Sequence, residues 1–220
     1  MTAVVLAAAA LCGVLAILGE ERGPRPLVYV CKPLTTLLIL VAAVSATGAD
    51  PRYRALITAG LAASLAGDVF LMLPRDRFVA GLASFLAAHV LYAVAFATPP
   101  AGLIDLALLA GLLAVAAGIV RALWAGLGRL RVPVLVYVAA IMGMAWLACV
   151  RWRTGMESGA ALAAVGALAF VLSDALLALD RFRRRFPHSR AWVLASYYAA
   201  QALIALSVRW TATGGPPPGS

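Results

Sequence analysis

Charged residues are scarce in this chain of 220 residues, at 12% of the sequence, whereas hydrophobic residues make up 64%. That balance lies far outside the range of soluble domains. Histidine occurs only twice, and His188 falls in a predicted loop, so a multi-histidine zinc site is excluded. The sequence also contains no nucleophile elbow, phosphate-binding loop or dinucleotide fingerprint. We therefore expect neither a metal ion nor an organic cofactor.

The sequence contains many long apolar runs. Eight of them are about as long as the roughly 20 residues that cross a bilayer, at about 2–18, 28–47, 54–73, 78–97, 102–122, 132–150, 158–179 and 190–210. They are too long and too uniformly apolar for the strands of a membrane barrel. The sequence therefore predicts an all-α integral membrane protein with eight transmembrane helices in a single domain, residues 1–210. Composition predicts a disordered tail at 211–220.

The basic residues behind the net charge of +9 are unevenly distributed. Thirteen of the 18 lysine and arginine residues follow the first, third, fifth and seventh predicted helices. By the positive-inside rule these loops face the cytoplasm and both termini lie outside. Anionic lipid head groups of the bilayer are the expected partners of this surface, and nucleic acid is not. Heavy use of arginine and alanine is typical of a bacterium with a GC-rich genome, so we expect the inner membrane.

Two segments about a hundred residues apart follow the same pattern. One runs from Gly67-Asp68 to Asp76-Arg77-Phe78, and the other from Ser173-Asp174 to Asp180-Arg181-Phe182. The next helices also match, 82–89 against 194–201, and a proline, Pro33 or Pro133, is expected in the first turn of the second and sixth helices. With four helices in each half, about 1–97 and 102–210, both halves begin and end on one side. The pattern predicts a parallel 4+4 repeat.

The paired acids are the main candidates for function, because a carboxylate in hydrocarbon is costly. Asp68 and Asp174 each lie roughly 9 Å inside the cytoplasmic boundary, at 1.5 Å per helical residue. Two neighbouring carboxylates in a site of low dielectric constant do not both ionise, so one can act as acid and the other as base. Asp68 is the favoured acid and Asp174 the favoured base, although Lys32 could ionise either. The structural alternative is that each acid only ties helices together.

Other polar residues, from Lys32 at a shallower depth to His89 and Gln201 at a greater one, outline a tapered cleft that opens to the cytoplasmic side. Lys32 is the only lysine, and it is a candidate for phosphate binding or simply an interfacial residue. His89 can relay protons or orient a substrate oxygen, and Gln201 takes its place in the second half. For Tyr137 we predict a packing role. The remaining candidates for substrate binding are Tyr92, Tyr197 and Tyr198.

Several of these positions together resemble the YhhN family of membrane proteins, which includes the lysoplasmalogenases. The matching residues are Lys32-Pro33, Gly67-Asp68 with Leu71-Met72, Phe85 to His89 with Tyr92, Ser173-Asp174, and Tyr197-Tyr198 with Ala200-Gln201. The resemblance extends from about Leu27 to Val208. It implies that the protein cleaves the vinyl ether bond of a lysoplasmalogen or a related lysophospholipid, releasing a fatty aldehyde and a glycerophospho-base. It also implies that Asp68 and Asp174 are the family's paired aspartates.

Acid–base chemistry by two carboxyl groups suits such a reaction. Protonation of the outer alkene carbon gives an oxocarbenium ion, water adds, and the hemiacetal collapses to aldehyde and alcohol. One aspartate would supply the proton while the ionised one steadies the cation and activates water, as in glycosidases. The alternative is a proton-coupled transporter or lipid carrier, because duplicated halves with buried acids fit that class too. A transporter should have a polar path that continues to the outer side.

Overall fold

Eight α-helices make up most of the computed structural model, which describes residues 2–23, 25–47, 49–97, 102–155 and 159–210. They are α1 (Thr2–Arg22), α2 (Arg25–Val44), α3 (Pro51–Met72), α4 (Phe78–Phe96), α5 (Leu103–Leu123), α6 (Arg131–Arg153), α7 (Ala160–Phe182) and α8 (Ser189–Ser207). No β-strand occurs in those ranges, so the all-helical prediction is confirmed. The predicted tail at 211–220 lies outside the described residues.

Seven of the described helices, α1 to α7, are long and apolar enough to cross a membrane. The eighth helix spans 19 residues, and its buried face carries Tyr197, Tyr198 and Gln201. These polar side chains lower its hydropathy although they point into the protein. The helices have the length and composition of an integral membrane protein.

Six helices form a closed ring in the order α2, α3, α4, α6, α7 and α8, with α8 packed back against α2. Outside the ring, α1 packs against α2 and α8, and α5 packs against α6 and α7. In this ring α3 and α7 occupy opposite positions.

Glycine allows close packing at matched positions of the two hairpins, α3–α4 and α7–α8. A Cβ atom at Gly60 would lie 2.2 Å from the ring of Tyr92, and one at Gly166 would lie 2.9 Å from Ile204. Small residues let helix backbones approach closely in lipid, where van der Waals packing holds helices together. Each glycine precedes an aspartate by eight residues, Gly60 before Asp68 and Gly166 before Asp174. The similarity between the two segments therefore extends to how their hairpins pack.

The two Asp-Arg-Phe motifs meet at one end of the molecule, here called the basic end. Arg181 forms an ion pair with Asp76 and stacks on the ring of Phe78, 5.0 Å from its centroid. Phe78 also packs edge-on against Phe182. Glu20, near the end of α1, pairs with Arg190 at 2.8 Å. The loops after α1, α3 and α7 are thereby held together.

One of the two matched prolines lies elsewhere than predicted. Pro133 lies in the first turn of α6, as expected, but α2 begins at Arg25 and places Pro33 inside the helix. Pro26 occupies the first turn of α2, where the missing backbone N–H of a proline leaves no donor unpaired. The predicted start near residue 28 is wrong because the helix extends beyond the apolar run into the polar boundary.

Candidate active site

Asp68 lies in a buried cluster formed by α2, α3 and α8. The residue is 1% exposed, and its Oδ2 accepts hydrogen bonds from Thr36 Oγ1 at 2.6 Å and from Tyr197 OH at 2.7 Å. Lys32 Nζ lies 3.9 Å from Oδ1. Two hydroxyl donors and an ammonium group complement a carboxylate, so this cluster is arranged around a negative charge.

A hydrogen-bonded chain continues from Asp68 away from the basic end. Tyr92 OH donates to Gln201 Oε1 at 2.8 Å, and Gln201 Nε2 donates to Tyr197 OH at 3.2 Å. Tyr197 in turn donates to Asp68. Each donor in this chain points toward Asp68, so Tyr92 and Gln201 hold the Tyr197 hydroxyl in its orientation.

Asp174 belongs to a second cluster, formed by α4, α6 and α7. Tyr137 donates a hydrogen bond to its Oδ2, and His89 Nε2 lies 3.8 Å from the same oxygen. His89 is fully buried, and neither of its ring nitrogens has a hydrogen-bond partner among the described residues. Its ring packs edge-on against Phe170, with 4.6 Å between centroids. Asp174 thus has one hydroxyl donor and no ammonium or guanidinium group in these contacts, unlike Asp68.

Three aromatic rings lie between the two clusters. Phe85, Phe170 and Tyr197 pack edge-on against one another, with centroids 5.5 to 6.2 Å apart. Tyr197 contacts Asp68, and Phe170 contacts His89 beside Asp174. None of the described hydrogen-bond and ion-pair contacts is shared by the two carboxylates. The acids occupy separate polar clusters joined by aromatic packing.

The helices that contact each aspartate follow one rule. Asp68 on α3 is contacted from α2 and from α8, and Asp174 on α7 is contacted from α6 and from α4. In each case one contact comes from the preceding helix and the other from the last helix of the opposite half. The surroundings of each aspartate are therefore built from both halves of the chain.

Asp174 opens onto a narrow apolar slot of about 60 Å³ between α3, α4, α5, α6 and α7. The side chain of Asp174 is 16% exposed, and among the residues that the structure describes it is the only charged one lining the slot. The remaining lining residues are apolar apart from Tyr137, and include Leu82, Phe85, Ile119, Leu123, Val138 and Met142. The slot is suited to hydrocarbon, with one carboxyl group in its wall.

A larger cavity of about 670 Å³, here called the vestibule, opens at the basic end. Lys32 lines it, and so do five arginines at the basic end: Arg25 at the start of α2, Arg77 before α4, Arg181 at the end of α7, Arg185 in the next loop and Arg190 at the start of α8. The slot and the vestibule share Leu71, Phe78 and Leu177 as lining residues, so they adjoin. At the rim, the hydrogen bond from Arg181 lowers the pKa of the Asp76 carboxyl below its ordinary value.

The candidate residues fall into three groups. Lys32, Tyr92, Tyr197 and Gln201 belong to the Asp68 cluster, and His89 belongs to the Asp174 cluster. Tyr198 lies at the edge of the Asp68 cluster: its ring packs against that of Tyr197, with centroids 5.4 Å apart, and its other side faces α1, where a Cβ atom at Gly13 would lie 3.1 Å from it.

Two residues of these clusters were not predicted for the site. Thr36 was overlooked, and Tyr137 was assigned to packing, which is wrong because it donates a hydrogen bond to Asp174. A sequence signal existed: Thr36 follows Pro33 by three residues, and Tyr137 follows Pro133 by four. A polar residue one turn after each matched proline reaches the aspartate of the next helix. Within the described residues, no three histidine, cysteine or acidic side chains are grouped as metal ligands.

These features define a helical membrane protein with an aspartate in a polar cluster in each half, buried for Asp68 and partly buried for Asp174, and with two adjoining cavities at its basic end. The family model described as "YhhN family" matches residues 27–208, and the chain belongs to this family, as the sequence motifs predicted.

Named relatives include both bacterial and mammalian proteins. The chain is 34% identical over 194 residues to "Uncharacterized membrane protein YhhN" of Escherichia coli O157:H7, covering 85% of this chain and 89% of that protein. It is 37% identical over 180 residues to lysoplasmalogenase TMEM86B of Sus scrofa, covering 81% and 73%. It is 42% identical over 163 residues to lysoplasmalogenase TMEM86A of Bos taurus, covering 69% and 64%. No solved structure matches the chain.

Proposed function

We propose that this protein is a membrane hydrolase that cleaves the vinyl ether bond of a lysoplasmalogen or a related lysophospholipid. Relatives that are 37% and 42% identical carry the name lysoplasmalogenase. The observation that carries the proposal is the position of Asp174, a carboxyl group in the wall of an apolar slot that adjoins a basic vestibule. No metal ion or organic cofactor takes part in this chemistry.

The two cavities match the two parts of a single-chain lipid. Hydrocarbon fits the slot, whose walls are apolar apart from Asp174 and Tyr137, and a phosphate group fits the vestibule. In a lysoplasmalogen the vinyl ether joins the chain to the glycerol, so it would lie where the cavities adjoin.

Asp174 is the group that can reach the reacting bond. As a carboxylic acid it would protonate the outer alkene carbon, which leaves an oxocarbenium ion at the carbon bonded to oxygen. The resulting carboxylate would then take a proton from the attacking water, and the hemiacetal would collapse to aldehyde and alcohol. Tyr137 holds the carboxyl group in place, and His89 lies beside it to orient the water. Each proton that Asp174 gives up is thereby returned.

Asp68 is suited to a different task, because it lines neither cavity. Its contacts with Lys32, Thr36 and Tyr197 are those of an ionised carboxylate. We therefore reverse the assignment of roles made from the sequence: Asp174 is the acid, and Asp68 is the fixed negative charge that keeps Lys32 at the floor of the vestibule. Lys32 would bind the phosphate, while Tyr92 and Gln201 support Tyr197. A role for Tyr198 in substrate binding stays a prediction.

The architecture proposed with this function has eight transmembrane helices in one domain and a parallel 4+4 repeat. The matched glycine contacts and the matched surroundings of Asp68 and Asp174 support the repeat. The position of the arginines at one end supports an orientation with that end and the site in the cytoplasmic half, and with both termini outside. The proposed location is the inner membrane of a bacterium.

The arrangement of aromatic residues favours an enzyme over a transporter. Fully buried Phe96 stacks on Tyr92 and also packs against Tyr53, which is bonded to Ser207 at the end opposite the basic end. An apolar ring thus separates the polar chain of Asp68 from the polar groups at the other end. A transport path would need polar groups across this gap.

The test is to incubate the purified protein with a lysoplasmalogen or its saturated ether analogue and to measure released aldehyde. We expect aldehyde from the vinyl ether alone, and its loss in Asp174→Asn. Glu21→Gln is the matched control. It also replaces an acid by an amide at the basic end, but Glu21 lines neither cavity. Absence of aldehyde from folded, monodisperse protein would contradict the proposed reaction, and full activity in Asp174→Asn would contradict the assigned acid.

A further inference from the structure

Most of the charged side chains that line the vestibule are already paired. Three ion pairs account for half of its basic residues and for two of its three acids. The pairs are Lys32–Asp68, Arg181–Asp76 and Arg190–Glu20. The lining charges without an ion-pair partner among the described residues are those of Arg25, Arg77, Arg185 and Asp180. Three guanidinium groups and one carboxylate are therefore available to a bound molecule.

Asp180 is placed at a cost to the fold. Its Oδ1 is buried and accepts no hydrogen bond from any described residue, and a buried polar atom without a partner is destabilising. The residue also lies in the last turn of α7, where a negative charge faces the negative end of the helix dipole. Groups that cost stability are typical of binding and catalytic sites.

The matching aspartate of the first half has a structural role instead. Asp76 lies just before α4, where its Oδ1 accepts a hydrogen bond from the backbone N–H of Phe78 at 3.2 Å and its Oδ2 pairs with Arg181. Asp180 forms neither kind of contact within the described residues, because α3 ends before its Asp-Arg-Phe motif whereas α7 continues through it. The motif thus leaves one carboxylate paired and the other open to the vestibule.

Arginines and an unpaired carboxylate in one cavity complement a zwitterion. Guanidinium groups bind phosphate oxygens two at a time, and a carboxylate accepts charge-assisted hydrogen bonds from an ammonium group. The three unpaired arginines would bind the phosphate together with Lys32. Asp180 is then left for a positive group on the same head group.

Helix α7 carries Asp180 and the proposed acid along one side. Asp174 lines the slot, Asp180 lines the vestibule, and Leu177, midway between them, lines both. The two aspartates are six residues apart, which is about 9 Å along a helix at 1.5 Å per residue. The glycerol and phosphate that link a vinyl ether to its base span a comparable length. One lipid could therefore contact both carboxyl groups.

We propose that Asp180 is a specificity-determining residue, whose carboxylate binds the ammonium group of the base while the unpaired arginines bind the phosphate. The assignment rests on the proposed function, which places one lysophospholipid across the slot and the vestibule. It adds the residue that recognises the base, and it makes α7 the element that sets the distance between the base and the bond that breaks.

Binding of saturated ether lysolipids tests the assignment without any reaction, because they contain no vinyl ether. Analogues with the same chain and either a phosphoethanolamine or a phosphoglycerol head group would be titrated calorimetrically into the parent protein and Asp180→Asn in neutral detergent. We expect Asp180→Asn to weaken binding of the ethanolamine lipid by about fivefold or more and not to weaken binding of the phosphoglycerol lipid. Equal losses for both lipids, or no loss for either, would overturn the proposal.

Two further variants and a thermal melt separate recognition from other effects. Asp180→Glu keeps the charge and should retain most of the ethanolamine affinity, whereas a loss as large as that of Asp180→Asn would contradict a charge-based role. Glu21→Gln removes an acid that pairs with His188 and lines neither cavity, so it should not change the ratio of the two affinities. An equal change would mean that only net charge matters. Asp180→Asn should melt no lower than the parent, and a clear loss of stability would assign Asp180 to the fold.

A soluble head group distinguishes a lipid from a free zwitterion. Glycerophosphoethanolamine has the head group without the chain, so at equal concentration it should not displace the ethanolamine lipid. Displacement would assign the vestibule to a soluble ligand and overturn the lipid assignment. Because these measurements need no turnover, they stay readable if the proposed hydrolysis fails. Aldehyde release by the parent, with an unchanged ratio of affinities in Asp180→Asn, would contradict this inference alone.

Discussion

The Lys32–Asp68 pair offers a direct test of whether Asp68 is ionised inside the membrane. The two side chains are 11% and 2% exposed, and Nζ lies 3.9 Å from Oδ1. For unit charges at that distance, an effective dielectric constant of about 20 gives an attraction of about 4 kcal/mol. Removing one partner of a buried pair costs about 3–5 kcal/mol, because the other charge is left uncompensated.

We therefore expect Lys32→Met and Asp68→Asn each to lower the free energy of unfolding by about 3 kcal/mol. The double variant should lose far less than the sum, because no lone charge remains and Thr36 and Tyr197 can still donate to the asparagine oxygen. Unfolding of the detergent-solubilised protein in sodium dodecyl sulfate, followed by circular dichroism, measures all three. Additive losses, or a Lys32→Met variant as stable as the parent, would refute an ionised pair.

Three further predictions concern packing, the slot and the basic end. Gly60→Ala should lower stability by about 1–3 kcal/mol, because its Cβ would overlap a tyrosine ring, whereas Gly118→Ala, with nothing within 4 Å of the new atom, should leave the thermal melt unchanged. Ile119→Trp should narrow the slot and shift aldehyde release toward shorter-chain substrates; an unaltered chain-length profile would remove the slot from substrate binding. Because Arg181 lowers the pKa of Asp76, their pair should stabilise the fold above about pH 4 and cease to do so as pH falls through the lower folded-state pKa. The difference in melting temperature between the parent and Asp76→Asn should accordingly be present at pH 7 and shrink as the pH falls below about 4, the ordinary range for an aspartate; a difference that does not change with pH would contradict this.

Helix positions could be predicted because a spanning helix needs a long apolar run. Helix ends differ from the apolar runs by up to four residues, and at the basic end α1 continues to Arg22 and α7 to Phe182. Backbone hydrogen bonds inside a helix do not depend on hydrophobicity, so a helix can continue past its apolar run into the polar boundary. Hydropathy locates the part of a helix that lies in lipid, and the capping and loop contacts set where it ends.

The relation between the two aspartates could not be predicted in the same way. Counting residues gives the depth of Asp68 and of Asp174 along their helices, and both lie toward the basic end. It does not give the lateral order of helices, which depends on how six amphipathic surfaces pack together. Because α3 and α7 occupy opposite positions in the ring, two acids expected to share one proton lie in separate clusters. Tyr137 was misassigned for the same reason, since its partner is on another helix.

The way in which each aspartate is surrounded bears on how such a chain could have arisen. Asp68 takes a hydrogen bond from α8, and Asp174 has a neighbour on α4, so each half supplies part of the other half's polar cluster. A chain with only four of the eight helices would lack some of the residues of each cluster. Two identical copies side by side could have completed both clusters by exchanging their last helices. Fusion of the copies would then have freed the two acids to diverge, one holding a charge and the other moving a proton.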